Sequence, residues 1–326
     1  MLNRIARSIA ALCMASVTLA PLAAHAEYPD KPVTVIVPFS PGGSLDAIAR
    51  SLTQKLSEQT GKTFLVDNKA GASGNIGAAQ VARSRADGYT LLFTSVTTAA
   101  ITSAMFTKGV GYTLNGDLVP VALACALPVV LISSPASNIR SYADLVNATK
   151  TKSGGVTFGS AGPGSIEHVA AELFKRESKT QMLHVPYKGG ADALRDLMGN
   201  QIDVVFGTGG GMFAAMEAGK VTGVAVAAAK RAPIVPNMPT LQEAGLAGFD
   251  ASVVYGFLAP AGVPADVVKT LQAEIQKALQ QPDSIRRLAE QSAEVRYAGG
   301  EQATAIVQNE LGKWGKVVRE AGIKAD

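Results

Sequence analysis

Apolar segments typical of buried strands alternate with amphipathic helical patterns along most of the chain. Val33–Pro38 reads VTVIVP and predicts a strand. The apolar residues that follow share one face of a helix: Leu45, Ile48, Ala49, Leu52 and Leu56. Further short strands are predicted at Phe64–Val66, Thr90–Ser95, Val129–Ile132, Val156–Phe158, Met182–Val185, Val204–Phe206 and Val224–Ala227. This alternation predicts an α/β fold with helices on both sheet faces.

The C-terminal region departs from this alternation. From Pro264 onward the pattern predicts helices only, and the last helix carries Val307, Leu311, Trp314 and Val318 at helical spacing. Trp314 is therefore expected to be a core residue that docks this helix. Because the chain contains no long Gly/Ser linker, we expect two domains joined by several short crossings.

The N-terminal residues have the pattern of an export signal. Arg4 and Arg7 precede the short apolar run Ser8–Leu22, and Ala24–Ala26 has the form of an A-x-A cleavage site. A run this short does not span a bilayer, so we expect cleavage after about Ala26 and an exported product. An uncleaved N-terminal anchor is the alternative.

Length, charge and cysteine content limit the number of domains and the possible classes of function. Removing residues 1–26 leaves 300 residues, enough for two domains of about 150 residues each. Arg4 and Arg7 leave with the signal, so 28 basic residues face 26 acidic ones, which does not suggest a nucleic-acid surface. Cys13 leaves as well, and Cys125 has no partner for a disulfide. We expect a monomer with no cofactor.

Three glycine-rich loops follow predicted strands and precede predicted helices. They are S-P-G-G-S-L-D at residues 40–46, F-G-S-A-G-P-G-S at 158–165 and F-G-T-G-G-G at 206–211. The first amides of a helix have no internal partner, and glycines allow a ligand to approach them closely, so such loops suit an anion. The alternative for the first loop is that the glycines only turn and Ser44 caps the helix.

Catalytic motifs are incomplete throughout the sequence. F-G-S-A-G has Phe158 where a nucleophile elbow requires glycine, and Gly61-Lys62-Thr63 lacks the upstream glycine of a phosphate-binding loop. His168 and His184 are isolated and form neither a zinc site nor a triad by spacing. We therefore expect no enzyme, with a serine hydrolase as the remote alternative. His168, beside the second loop, is a candidate ligand contact.

Eight sequence segments in order give the mature chain a specific resemblance. They are YPDKPVTVIVPF, PGGSLDAIAR, DNKAGASGNIG, ADGYTL, GSAGPGSIEH, HVPYKGGADAL, PNMPTLQEAG and YGFLAPAGVP. Together they resemble the solute-binding proteins of tripartite tricarboxylate transporters, the Bug family. The resemblance implies a two-domain clamp of the type II periplasmic binding-protein kind, each domain a mostly parallel sheet flanked by helices. The implied limits are 27–126 plus 250–326 for one domain and 127–249 for the other, with crossings near Ala126 and Phe249.

The resemblance also implies which residues bind the ligand. Two loops on opposite domains would grip a small organic carboxylate, with the following residues: Ser40, Gly42, Gly43, Ser44 and Asp46 on one side, and Ser160, Ala161, Gly162, Gly164 and Ser165 on the other. The implied partner is the membrane permease of a tripartite transporter. A ligand-loaded sensor for a membrane kinase is the alternative function.

Three segments depart from the family pattern. Phe206-Gly207-Thr208 stands where many members have an Asp-Asn pair, Val254 stands where many have a tryptophan, and Thr94–Thr98 replaces a pattern that often includes a histidine. We expect these segments to line the far half of the pocket, which adds Ser95, Thr97, Gly207 and Thr208 to the candidate contacts. A wider, less charged pocket favours a dicarboxylate or an aromatic carboxylate over an amino acid.

Overall fold

Two β-sheets flanked by helices form the core of this computed structural model, which describes residues 28–106, 109–187 and 189–325. The strands are β1 (Val33–Val37), β2 (Phe64–Asn68), β3 (Thr90–Ser95), β4 (Leu118–Leu127), β5 (Val130–Ser133), β6 (Val156–Ser160), β7 (Met182–Pro186), β8 (Val204–Gly207), β9 (Thr222–Val226), β10 (Val253–Pro260) and β11 (Glu294–Gly299). The helices are α1 (Ser44–Thr60), α2 (Asn75–Ala82), α3 (Val96–Met105), α4 (Tyr142–Thr151), α5 (Ile166–Ser178), α6 (Gly190–Met198), α7 (Gly210–Glu217), α8 (Ala265–Leu279), α9 (Pro282–Glu290) and α10 (Gly300–Glu320).

The first sheet has the strand order β11-β4-β10-β3-β1-β2. Strand β1 pairs in parallel with β2 and β3, whereas β10 runs antiparallel to β3 and β4, and β11 runs antiparallel to β4. Helix α1 buries the apolar face predicted from the sequence, including Ile48, Leu52 and Leu56. Burial of that face fixes α1 on the sheet, because each buried aliphatic side chain contributes about 1.5–3 kcal/mol.

The second sheet has the order β7-β6-β8-β5-β9. Strand β6 pairs in parallel with β7 and β8, and β5 runs antiparallel to β8 and β9. The predicted two-domain α/β fold is confirmed, but both sheets are mixed rather than mostly parallel. The difference arises at the strands next to the crossings between the sheets, since β5, β9 and β10 run against their neighbours.

Two chain segments connect the sheets and lie side by side. The chain leaves the first sheet after Leu127 and enters the second at Val130, then returns between Val226 and Val253. The Ala227 N–H donates to the Val129 carbonyl at 2.7 Å. The Ala251 N–H donates to the Ala227 carbonyl at 2.8 Å. These bonds join the crossing segments to one another. The predicted domain limits, 27–126 plus 250–326 and 127–249, stay a prediction.

The prediction of helices alone beyond Pro264 is wrong. Strand β11 lies between α9 and α10 and pairs with β4. Its sequence, EVRYAG, is polar and only Ala298 is buried, so the apolar pattern that marks the inner strands is missing. Pairing with β4 specifies this strand. Strands β4 and β10 are likewise not predicted from the sequence pattern.

Residues 1–26, the predicted signal peptide, lie outside the described residues, and so does Cys13. Over the parts of the chain that the structure describes, none of the helices is both long and apolar enough to span a membrane. Cys125 lies on β4 with no exposed surface, and burial raises the pKa of its thiol far above the ordinary value. This cysteine is consequently a core residue.

A buried hydrogen-bond network docks the C-terminal helix on the first sheet. Trp314 is fully buried, as predicted, and its indole Nε1 donates to Glu310 Oε2 at 3.0 Å. The Thr97 hydroxyl donates to the same oxygen at 2.5 Å and accepts the Val254 N–H at 3.0 Å. Thr97 therefore joins α3, α10 and β10. Its hydroxyl is committed to this network and does not line the cavity described below.

We predict that Thr97→Val lowers the free energy of unfolding by about 1–3 kcal/mol, because Glu310 and the Val254 N–H each lose a buried partner. Urea unfolding at neutral pH measures the change. Thr304→Val is the matched control: Thr304 is exposed on α10, its hydroxyl contacts only the Gly300 carbonyl, and the expected change is within about 0.5 kcal/mol. Equal effects of the two substitutions would contradict the network's role.

Candidate functional site

Loops from both sheets meet around one cavity of about 600 Å³. The loops that follow β1, β2 and β3 line it from the first sheet, and those that follow β6, β7 and β8 line it from the second. These are the strands that pair in parallel, so their carboxyl ends lie at one edge of each sheet, where open α/β sheets bind ligands. Gly209 and Ser44 are close across this cavity, because a Cβ at Gly209 would lie 2.3 Å from Ser44 Oγ.

Two further cavities lie away from these loops. A space of about 930 Å³ is lined entirely by residues between 140 and 244, around the second sheet. Another, of about 340 Å³, lies at the crossings between Ala126 and Arg296. Neither gathers the carboxyl ends of parallel strands from both sheets. We therefore regard the 600 Å³ cavity as the candidate site.

Asp46 organises the first glycine loop from within the protein. Its Oδ2 accepts the Gly42 N–H and the Arg50 Nε–H, each at 3.0 Å, and its Oδ1 accepts the amide of Asn68 at 2.9 Å. Burial alone would raise the pKa of Asp46, but the hydrogen bonds from Arg50, Gly42 and Asn68 outweigh it and lower the pKa. This carboxylate is satisfied internally and lies behind the cavity wall.

The same loop leaves the start of α1 open to the cavity. Gly42 has φ +92°, a conformation that favours glycine, and Gly43 is the N-cap of α1 with no side-chain hydrogen bond. A Cβ at Gly43 would meet no atom within 4 Å. The first-turn amides of α1 therefore have no capping side chain, and Ser40, Gly43 and Ser44 line the cavity beside them.

Two stacked histidines support the second glycine loop. The rings of His168 and His184 lie 4.1 Å apart, and His184 also stacks on Phe158 at 4.8 Å. His168 Nδ1 accepts the Gly164 N–H at 3.2 Å, and His184 Nε2 lies 2.7 Å from Ser160 Oγ, which in turn accepts the Gly162 N–H. Both histidines thus hold the loop from behind.

Both histidines are neutral at pH 7. Burial lowers the pKa of His168 to about 4, with a contribution from the Lys175 charge. Burial also lowers the pKa of His184 to about 4, and His168 and Lys175 act in the same direction while Glu172 opposes them. A neutral His168 ring is needed for Nδ1 to accept the Gly164 N–H.

The third glycine loop contributes Thr208, which faces the cavity. Gly207 before it is packed against Met212, since a Cβ there would lie 2.7 Å from the Met212 Cε. Helices α6 and α7 begin at this side of the cavity with Gly189 and Gly209 as N-caps, and neither cap makes a side-chain hydrogen bond. The cavity therefore has three glycine-capped helix starts, at α1, α6 and α7.

The structure divides the residues selected from the sequence into two groups. Those that line the cavity are Ser40, Gly43, Ser44, Ser95, Ala161, Ser165 and Thr208. Those that lie outside its lining are Gly42, Asp46, Thr97, Ser160, Gly162, Gly164, His168 and Gly207. In the second group, the side chains of Asp46, Thr97, Ser160 and His168 are hydrogen-bonded to other parts of the protein.

Several lining residues were not selected from the sequence. They include Phe39, Ala70, Gly71, Ser73, Gly74, Glu167, Gly189–Ala191, Val253 and Tyr255. Sequence signals exist for the lining residues that follow β2 and β7. The segments DNKAGASG and YKGGAD each follow a predicted strand, as the selected loops do. At the second departure from the family pattern, Val253 and Tyr255 line the cavity and the intervening Val254 does not.

The family profile described as "Tripartite tricarboxylate transporter family receptor" matches residues 48–323. The chain belongs to this family. It is 35% identical over 324 residues to a Pseudomonas sp. (strain P51) protein, "UPF0065 protein in tcbD-tcbE intergenic region", covering 98% of this chain and 95% of that one. It is 33% identical to Protein BugT of Bordetella pertussis, covering 91% of each chain.

Solved structures of the receptor family have the same fold. The periplasmic binding protein BugD superposes with a TM-score of 0.80 at 31% identity, covering 92% of this chain and all of that one. Rpa4515 of R. palustris, solved with adipate, gives 0.82 at 32% identity and covers 91% and 99%. MatC of Rhodopseudomonas palustris, with bound malate, gives 0.78 at 32% and covers 89% and 100%. Because these homologues are solute-binding receptors, the non-enzymatic prediction is confirmed.

We predict that the stability of this receptor falls as the pH is lowered from about 7 to 4. The folded pKa values of His168 and His184 lie below the unfolded value of about 6.5, so the unfolded chain takes up protons first. Each histidine can contribute at most about 1.4 kcal/mol per pH unit. Urea unfolding at pH 7 and pH 5 measures the difference.

His184→Gln should reduce this pH dependence, because one of the two histidines is removed. Neither histidine of the described residues is exposed, so the comparison is Gln308→His, which places a histidine on the exposed face of α10 and should leave the pH dependence unchanged. An unaltered slope in His184→Gln would contradict the assignment of a low folded pKa to this ring.

Proposed function

We propose that this protein is a periplasmic receptor that captures a small organic carboxylate between its two domains and delivers it to a tripartite tricarboxylate-type membrane permease. The observation that carries the proposal is the cavity where loops of both sheets meet beside three glycine-capped helix starts. We also propose that the chain is exported, that its signal peptide is cleaved after about Ala26, and that the receptor is a monomer.

Neutral donors would provide the grip on the carboxylate. The described lining contains no lysine or arginine. Its polar groups are backbone amides, the carboxyl group of Glu167 and several hydroxyls, among them those of Ser40, Ser44 and Thr208. Such donors suffice when they are fixed in place, because a hydrogen bond to a charged group contributes about 1.5–3 kcal/mol. Asp46 fixes the first loop and the stacked histidines fix the second, so the donors need little reorganisation on binding.

Both domains would have to hold the ligand at once for the receptor to signal its loaded state. Ser44 on the first loop and Gly209 on the third already approach each other, so a ligand in the cavity would contact groups on both sides. A ligand that binds the closed form better than the open form shifts the population towards closure. The permease would then recognise the closed receptor. Relatives solved with adipate and malate support a carboxylate as the ligand class.

A thermal-shift screen of the mature protein tests this function. The panel contains dicarboxylates, tricarboxylates, aromatic acids, amino acids, sulfate and phosphate. We predict that at least one carboxylate raises the melting temperature by a few degrees, since a ligand at 100 times its Kd stabilises by about 2.7 kcal/mol. A response to sulfate or phosphate alone would overturn the proposed ligand class.

Gly43→Val should abolish that shift and weaken binding at least tenfold. Its φ of −82° suits any residue and a Cβ meets no protein atom, so the variant should fold and place its side chain beside the start of α1. Gly312→Val is the matched control, because Gly312 lies on α10 with the same free space around a Cβ and outside the cavity lining. Normal binding by Gly43→Val, measured by calorimetry, would contradict this site.

A further inference from the structure

Glu167 places a buried carboxyl group in the wall of the proposed ligand site. It is the second residue of α5, lines the cavity and is only 9% exposed. Its Oε1 lies at the start of α6, since a Cβ at Gly190 would be 3.7 Å from it. The neighbouring Tyr255 also lines the cavity, and the negative charge of Glu167 contributes, after burial and Cys125, to raising the pKa of the Tyr255 hydroxyl.

No cation within the described lining compensates this carboxyl group. The lining contains no lysine, arginine or histidine, and Glu167 takes part in none of the ion pairs found among the described residues. Burial raises the pKa of Glu167, and its own backbone N–H and the Ser165 hydroxyl lower it only partly. Lys188, close in sequence to Gly189, lies outside the described residues and is tested directly below.

A carboxyl group in this position gives the cavity two chemically different ends. The Glu167 carboxyl occupies the region between the starts of α5 and α6, so that side already contains an acidic group, which a cationic ligand group would ionise and pair with. The start of α1, with Gly43 as an uncapped N-cap and Ser40 and Ser44 beside it, contains no acidic side chain in the lining. A ligand carboxylate is therefore accommodated best at α1, away from Glu167.

The group of the ligand that faces Glu167 must then differ from a carboxylate. Two carboxylates in one water-poor cavity repel each other, whereas an ammonium group would pair with Glu167 and favour its charged form. This pattern does not fit the preference for a dicarboxylate or an aromatic carboxylate over an amino acid that follows from the sequence, where the position of Glu167 is not visible.

We propose that Glu167 makes this receptor select a carboxylate that also carries an ammonium group, an amino acid in the broad sense. The inference rests on the carboxylate-receptor function proposed above and names its substrate class. The ligand would bind with its carboxylate at the start of α1 and its ammonium group at Glu167. Aromatic or aliphatic carbon between the two would contact Leu194, Met212 and Val253.

Calorimetry with ligands of matched length tests the proposal. Adipate and 6-aminohexanoate form one pair and succinate and 4-aminobutyrate another, and each pair differs in one terminal group. The α-amino acids and their deaminated counterparts form a second series. We predict that the wild-type protein binds an ammonium-bearing acid at least tenfold more tightly than its matched partner.

Glu167→Gln should remove that preference while leaving the protein folded. The amide keeps the shape of the side chain, so the ammonium ligand should bind at least tenfold more weakly and the matched partner equally well or better. Glu172→Gln, one turn further along α5 and outside the cavity lining, is the matched control and should leave the ratio unchanged. Thermal unfolding of each variant without ligand confirms that the fold is retained.

Three outcomes would overturn the proposal. One is a wild-type protein that binds the dicarboxylate of a matched pair as tightly as its ammonium-bearing partner, because Glu167 would then be a protonated donor. Another is an unchanged ratio in that variant. The third is an ammonium preference that appears only in Lys188→Gln, because Lys188 would then neutralise Glu167.

The same data separate this proposal from the receptor function itself. If carboxylates bind the wild type and Gly43→Val prevents it, the receptor function stands whatever Glu167 does. If no carboxylate or amino acid binds at all, the receptor function fails and the Glu167 substitutions have nothing to alter.

Discussion

The candidate site depends on one constraint of helical backbone: the first amides of a helix have no acceptor within it. In both sheets, strands that pair in parallel are each followed by a loop and a helix, so these amides lie at the same edge. Where the sheets face each other, helices capped by Gly43, Gly189 and Gly209 begin beside one cavity without a capping side chain. The arrangement concentrates donors without requiring a single basic side chain.

Two acidic side chains near these helix starts differ in their partners and in whether they face the cavity. Asp46 faces inward and is saturated by Gly42, Arg50 and Asn68, so its charge shapes the loop and is screened from a ligand. Glu167 faces the cavity and has no cation among its described neighbours. The same residue class at similar helical positions thus serves structure in one domain and places an acidic group in the ligand space in the other.

The sequence was sufficient for features that depend on local pattern. Strands such as β3 and β6, the buried face of α1 and the glycine loops all followed from periodicity and turn residues. Features that depend on distant partners were missed. Strand β11 is polar and exists through pairing with β4. The sequence predicts Thr97 as a ligand contact, because nothing near it in the chain reveals its bonds to Glu310 and Val254. Glu167 has the pattern of an ordinary acidic residue at a helix start, and only the fold shows that it faces a cavity.

The burial of Cys125 has a practical consequence for watching the domains move. This single cysteine of the described residues has no exposed surface, and its raised pKa keeps the thiol protonated at neutral pH, whereas thiol-specific dyes react with exposed thiolates. The native cysteine should therefore remain unlabelled in the folded protein. Two cysteines introduced at exposed positions, one beside each sheet, would be the reactive ones. The distance between the dyes attached to them would then report directly on closure of the cleft.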